Sequence, residues 1–154
     1  MAFGNQTFIQ GRVGIGVEIL KYNVTYDEIS ADAGTAVEDL FTLPIGWGII
    51  AAGHHINTNF NGGATSDLTV QVGVTGGDTD QWYAAVSIHE DGTEVPDKFA
   101  ITATAGIEST SASTLVSALF TASGANTSAL TAGDVDLYFV VAPLDLITAT
   151  TKGA

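Results

Sequence analysis

The chain has 154 residues, 45% apolar and 14% charged, with 17 acidic residues against 4 basic ones and a formal net charge of −13. That apolar content excludes a disordered chain, and a single domain of this length buries roughly 70% of its unfolded surface. Phosphate binding needs clustered cations; Arg12, Lys21, Lys98 and Lys152 are scattered, so neither a nucleic-acid partner nor an anionic membrane is expected.

There is no cysteine, hence no disulfide and no thiolate metal site. The segment MAFGNQTFIQG lacks the basic and apolar regions of a secretory signal. No run approaches the 18 apolar residues of a membrane-spanning helix. A low charged fraction also points to surface covered by a partner.

Residues 1–17 read as an extended N-terminal arm. Phe3, Phe8, Ile9, Val13, Ile15 and Val17 are spread among Gly4, Gly11, Gly14 and Gly16 with no helical face. Glycine carries an entropic cost in regular elements, so the arm is expected to order against its own domain or against a neighbouring chain. GRVGIG is not the G-x-G-x-x-G order of a dinucleotide loop. From Leu20, apolar Tyr22, Val24 and Tyr26 alternate with Lys21, Asn23 and Thr25, an amphipathic strand. Residues 27–34 connect, with room for one helical turn.

Thr35–Leu43 is the next strand. Asp39 falls on the face of Val37, Phe41 and Leu43, so the register is expected to settle only at Phe41. Pro44 donates no backbone hydrogen bond and cannot sit in a central strand, while Gly46 tolerates a tight corner. Beyond it, Ile50, Ala52, His54, Ile56, Thr58 and Phe60 alternate with polar or small residues, predicting a strand over 48–60. After the turn at 61–64, Leu68, Val70, Val72 and Val74 mark a further strand. The stretch 81–88 (QWYAAVSI) fits a strand or a short helix, and Phe99 to Ala105 fits a strand. Thr114 to Ala122 is apolar on both faces, as in a central or interface strand. Residues 127–133 read as a loop with one helical turn, and Val135 to Val141 as a last alternating strand ending at Pro143.

About eight strands separated by turn signals, without an amphipathic helix or a repeat of fixed period, predict an all-β sandwich or jelly roll. The expected organisation is an arm (1–17), a sandwich domain (18–143) and a C-terminal tail (144–154).

No catalytic constellation stands out. Adjacent strand residues point to opposite faces, so His54 and His55 cannot chelate one ion together. His54 reads as a core or interface histidine, His55 as a surface residue and His89 as a solvated one. Asp78 and Asp80 supply too few oxygens for calcium, and no G-x-S-x-G elbow exposes a serine. The expectation is a non-enzymatic protein without metal or cofactor. Trp47, Trp82 and Tyr83 are aromatics near loop ends, suited either to core packing or to an exposed sugar or protein platform.

The strings Val24-Thr25-Tyr26-Asp27-Glu28-Ile29, Leu40-Phe41-Thr42-Leu43-Pro44-Ile45-Gly46, Leu68-Thr69-Val70-Gln71-Val72-Gly73 and Leu130 to Val141 together carry a resemblance. Over roughly residues 18–142, in strand and corner patterns, the chain resembles small β-sandwich structural proteins of tailed bacteriophages, of the capsid decoration or cement type. The resemblance implies a jelly-roll-like fold, no catalysis, and homotrimers on the outer surface of the virion head that bridge major capsid protein subunits. An acidic surface suits the outside of a DNA-filled shell. Two contacts are expected on this basis: Phe3, Phe8 and Ile9 of the arm against the lattice, and Leu115, Val116, Leu119 and Phe120 in trimer packing. The alternative is a carbohydrate-binding or adhesive sandwich of a head fibre or tail, with Trp47, Trp82 and Tyr83 as its platform.

Overall fold

A computed structural model describes residues 7–13, 16–30, 34–89, 98–101 and 110–144, with backbone alone for 7–13 and 98–101. Nine strands follow one another: β1 (Thr7–Val13), β2 (Val17–Thr25), β3 (Thr35–Leu43), β4 (Trp47–Asn61), β5 (Asp67–Gly73), β6 (Tyr83–Ser87), β7 (Lys98–Ile101), β8 (Thr114–Ser123) and β9 (Ala132–Pro143). Helical structure among the described residues is one short helix, α1 (Tyr26–Ile29), and a 3-10 turn at Thr127–Ala129. Both fall inside connections expected to hold a single turn.

The strands form two antiparallel sheets, in the orders β1-β2-β9-β4-β7 and β3-β8-β5-β6. β2 pairs with β9, β3 with β8, β4 with β7 and β5 with β6. The eight strands from β2 onward are thus one long antiparallel ribbon, folded at the β5–β6 connection and rolled so that alternate pairs fall in different sheets. This is the jelly-roll order. The ninth strand comes from the expected arm. Residues 7–13 pair antiparallel with β2, Thr7 opposite Lys21 and Val13 opposite Val17, with an irregularity spanning Gly11.

Alternation decides which face is buried. Leu20, Tyr22 and Val24 of β2 and Val135, Leu137, Phe139 and Val141 of β9 point into the sandwich, against Val116, Ala118 and Phe120 of β8 and Leu68, Val70 and Val72 of β5. Tyr22 stacks on Phe41 with ring centroids 5.4 Å apart, and Phe139 closes the group edge-on at 5.3 Å from Phe41. β2 therefore lies over β3, and β1 extends the first sheet beyond the edge of the second.

The mismatch at Asp39 is resolved by a bulge. The register runs Asp39 to Ser117 and then Phe41 to Val116, so one extra residue turns Phe41 and Leu43 inward while Val37 and Asp39 stay outside. Gly133 shows the tightest backbone approach. Its φ is +146°, and a Cβ there would sit 2.1 Å from the ring of the fully buried Phe60.

Candidate functional site

The corner at Pro44–Trp47 organises one end of the sandwich. Gly46 adopts φ +81°, and Trp47 N–H donates back to the Pro44 carbonyl at 3.1 Å. Gly46 N–H donates to the Thr110 carbonyl at 2.9 Å, and its own carbonyl accepts from Leu144 N–H at 2.8 Å. One residue thus ties the chain arriving at β8 to the chain leaving β9. Beside this corner a cleft of about 410 Å³ opens between the sheets, lined by Leu20, Tyr22, Val141 and Trp47 of the five-stranded sheet and by Phe41 and Leu43 of the other.

The outer face of the β3-β8-β5-β6 sheet is the candidate contact surface. Val37 is 42% exposed and Leu115 is 41% exposed. Leu119 lies opposite Val37 in the register and is half-buried. Val37, Leu119 and Val74 border a shallow hollow of about 30 Å³. The polar residues nearby are small or engaged: Ser117 Oγ donates to Asp39 at 2.9 Å, Ser87 Oγ to Asp67 at 2.6 Å and Gln71 Nε2 to Thr79 at 2.7 Å. At the adjoining corner Ile45 is 65% exposed.

The outer face of the other sheet is its opposite in character. Lys21 Nζ lies 2.6 Å from Asp136 Oδ2 and 5.8 Å above the Tyr138 ring centroid. Asn23 Nδ2 donates to both Asp134 and Asp136, and Asn57 Nδ2 donates to Asp134 at 3.2 Å. Burial of Asp136 works against its ionisation, but hydrogen bonds from Lys21, Asn23 and Asn57 outweigh it and hold the carboxyl below its usual range. The Asp136 hydrogen bond in turn raises the Lys21 ammonium. The network fixes β2, β9 and β4 in register and leaves a polar, charge-paired surface. Pairing β2 with β9 was the signal that would have found it, since Lys21, Asn23, Asp134 and Asp136 all alternate outward.

The residues singled out by sequence separate as follows. Phe3 lies outside the described residues. Phe8 and Ile9 stand opposite Leu20 and Ile19 on β1, at the edge of the five-stranded sheet. Leu115 and Leu119 share the exposed face just described. Val116 and Phe120 do not: both are fully buried, because β8 is central and its even-numbered residues fill the core. They cannot make a partner contact. Trp47 is half-buried at the cleft, but Trp82 and Tyr83 are each 6% exposed. Trp82 N–H donates to the Val72 carbonyl at 3.0 Å, and Tyr83 sits opposite Val72 in the β5–β6 register, which turns both rings inward. Tyr83 Oη shares a 2.8 Å hydrogen bond with Nδ1 of His54, itself buried as expected. No three-aromatic platform exists. His89, expected to be solvated, instead hydrogen-bonds the Phe60 carbonyl through Nδ1 and is half-buried.

Among the described residues no group of three or more His, Asp or Glu side chains is placed to hold a metal ion. No described helix is long and apolar enough to cross a membrane.

The fold and these two unlike faces define an all-β jelly-roll sandwich. No protein-family profile matches the chain, and no curated protein matches it in sequence. Solved structures do match in fold. A chain of the capsid asymmetric unit of cyanophage Pam1 superposes with TM-score 0.59 at 18% identity, over 86% of this chain and 89% of that one. A chain of the acid-stable capsid of Helicobacter pylori bacteriophage KHP30 gives 0.57 at 16% identity, over 90% and 94%. A chain of the capsid of Ralstonia phage GP4 gives 0.56 at 14% identity, over 91% and 92%.

Proposed function

We propose that this protein is a phage capsid decoration, or cement, protein: a non-enzymatic component that binds the outside of the head and stabilises its lattice. The observation that carries the reading is the end-to-end likeness in fold. It spans 86–91% of this chain and 89–94% of the three phage capsid chains, so the whole domain corresponds and not a shared fragment.

The surfaces support the same reading. The charge-poor face with Val37, Leu115 and Leu119 suits packing between copies, and a homotrimer is the assembly we assign. A net charge of −13 favours a position facing solvent and away from packaged nucleic acid. The major capsid protein is the partner, with Phe3, Phe8 and Ile9 as its contacts. The mechanism is linkage: a protein that binds assembled lattice more tightly than free subunits stabilises the lattice, and repeated trimers add avidity.

The test measures binding of the purified protein to assembled heads and to unassembled capsid protein, together with its mass in solution. The expected result is preferential binding to heads and three times the 15.8 kDa chain mass. Equal binding to both forms would refute the cement reading. The sugar-platform alternative loses its support, because Trp82 and Tyr83 lie in the core.

A further inference from the structure

The two ends of the sandwich differ as much as its two faces. β3 and β9 finish at the end where β4 and β8 begin, since Leu43 stands opposite Thr114 and Pro143 opposite Trp47. Ile45 forms the tip of this end, on the corner from β3 to β4, and is 65% exposed. A turn tip facing water ordinarily carries polar residues. This one is also held firmly: besides the bonds through Gly46, Thr110 Oγ1 donates to the Pro44 carbonyl at 2.6 Å and Thr110 N–H to the Trp47 carbonyl at 2.9 Å. Apolar side chains continue from the tip onto the five-stranded sheet. Ile19 points away from the core, opposite Val140 on β9 and Ile9 on β1; it is 37% exposed and Val140 is half-buried.

The opposite end carries charge. β2 leads into α1 there, with Asp27 and Glu28 in its first turn. Asp67 opens β5 opposite Ser123, and Asp134 stands opposite Thr25. At the corner end, Glu18 of β2 is half-buried on the face it shares with Leu20 and Tyr22. Asp78 and Asp80 follow β5, which β8 separates from β3.

We infer that the corner end is the end that seats on the shell: Ile45 enters an apolar hollow on the outer surface of the assembled capsid protein, Ile19 packs beside it, and the acidic end points outward. The inference rests on the decoration reading and adds an orientation to it. A side chain held on a tied backbone loses little freedom on binding, and a few such buried anchors carry most of an interface's affinity. Turning Asp27, Glu28, Asp67 and Asp134 outward keeps that end away from packaged nucleic acid. The row from Ile19 to Ile9 joins this surface to the lattice contacts assigned to the arm. A trimer packed through Val37 and Leu119 about an axis along the strands directs three Ile45 corners the same way, so each trimer has three anchors.

The chain has no cysteine, so one introduced thiol reports one position. Ile45→Cys marks the corner, and Ser128→Cys, exposed in the 3-10 turn, marks the other end. Both variants are labelled with a maleimide, free in solution and on decorated heads cleared of unbound protein. Labelling at 45 is expected to slow about tenfold or more on heads, as access to the thiol is lost, and labelling at 128 to stay as in solution. The reverse pattern, or slowing at both positions or at neither, would overturn the inference and leave the cement reading standing. Slow labelling at 45 in the free protein that is relieved on dilution to monomer would overturn it in favour of a second copy as the occupant. Ile45→Asp should also weaken binding to heads about tenfold or more while the mass in solution stays that of the wild type; unchanged affinity would count against it equally. Heads that bind none of the unsubstituted protein would refute the cement reading itself, before any labelling, and this inference with it.

Discussion

Replacing Val37 and Leu115 together by aspartate probes the charge-poor face. Both side chains lie outside the core, 42% and 41% exposed. Fully burying such a side chain contributes about 1.5–3 kcal/mol, so covering the remaining two-fifths of each is worth about 0.6–1.2 kcal/mol. The pair then supplies about 1.2–2.4 kcal/mol to each contact, a factor of roughly eight to sixty in dissociation constant. Burying two carboxylates in place of the apolar groups adds to that loss. The fold itself should be weakened by about 2–4 kcal/mol, since the three-fifths of each side chain already covered in the single chain is lost as well. Light scattering coupled to size exclusion reads the assembly, and a urea melt reads the fold. The expected outcome is a cooperatively folded chain whose mass falls to that of the monomer at concentrations where the wild type is assembled. A double variant with wild-type mass and wild-type binding to heads would show that this face contacts nothing.

Three further outcomes follow from the interior. Gly133→Ala drives a methyl group into the buried Phe60 ring from a backbone angle that suits glycine; overpacking of about 1–3 kcal/mol and backbone strain of about 1–3 kcal/mol should lower the urea midpoint. Adding Phe60→Leu should restore the packing part, and a Gly133→Ala midpoint equal to wild type would contradict the geometry. Phe120→Ala removes a fully buried ring and should cost about 3–5 kcal/mol of folding stability, visible in the monomer itself; a loss confined to assembly would mean that Phe120 faces a partner after all. Burial pushes Tyr22 and Tyr83 up to about 12 from 10.0. Their neutral forms are thus favoured in the folded state, and the stability they contribute is full below pH 10 and lost as pH rises toward 12. Asp136 has the opposite sign: held below 3.8, it contributes stability above that value that is lost on acidification. Thermal melts across pH should fall at both limits, and a Lys21→Met variant should flatten the acid limb. In a Tyr26→Phe, Tyr138→Phe background, which leaves Tyr22 and Tyr83 as the only tyrosines, tyrosinate absorbance that rises at pH 10 without unfolding would refute the alkaline assignment.

Much of the architecture was legible because its signal is local. Alternation at Leu20 to Val24, Leu68 to Val72 and Val135 to Val141 marks three strands whose inward residues are those the periodicity selects. Pro44 and Gly46 mark the corner through their own backbone restrictions. The Asp39 mismatch exposed a bulge without locating it, since a bulge is defined by a partner strand. Trp82 and Tyr83 stayed open between core and surface because β6 is short and irregular, and too few residues alternate to show which way a ring points. Val116 and Phe120 were grouped with Leu115 and Leu119 because a strand apolar on both faces hides its own period of two. The Lys21–Asp136 network was invisible for another reason: its members come from opposite ends of the chain and meet only when β2 lies beside β9.

That rolled ribbon bears on how the protein is made. The β5–β6 hairpin, at its fold, closes over a short connection and can form early. β2 sits between β1 and β9, and Lys21 meets Tyr138, so half of its hydrogen bonding waits until β9 has been synthesised. Long-range pairing of this kind folds slowly, on the order of milliseconds to seconds, and leaves strand edges open meanwhile. On the ribosome, β2 is thus among the first strands to emerge and among the last to be completed. A chain stalled before β9 would present the inner faces of both sheets, Tyr22 and Phe41 among them, to whatever chaperone or sister chain is nearest.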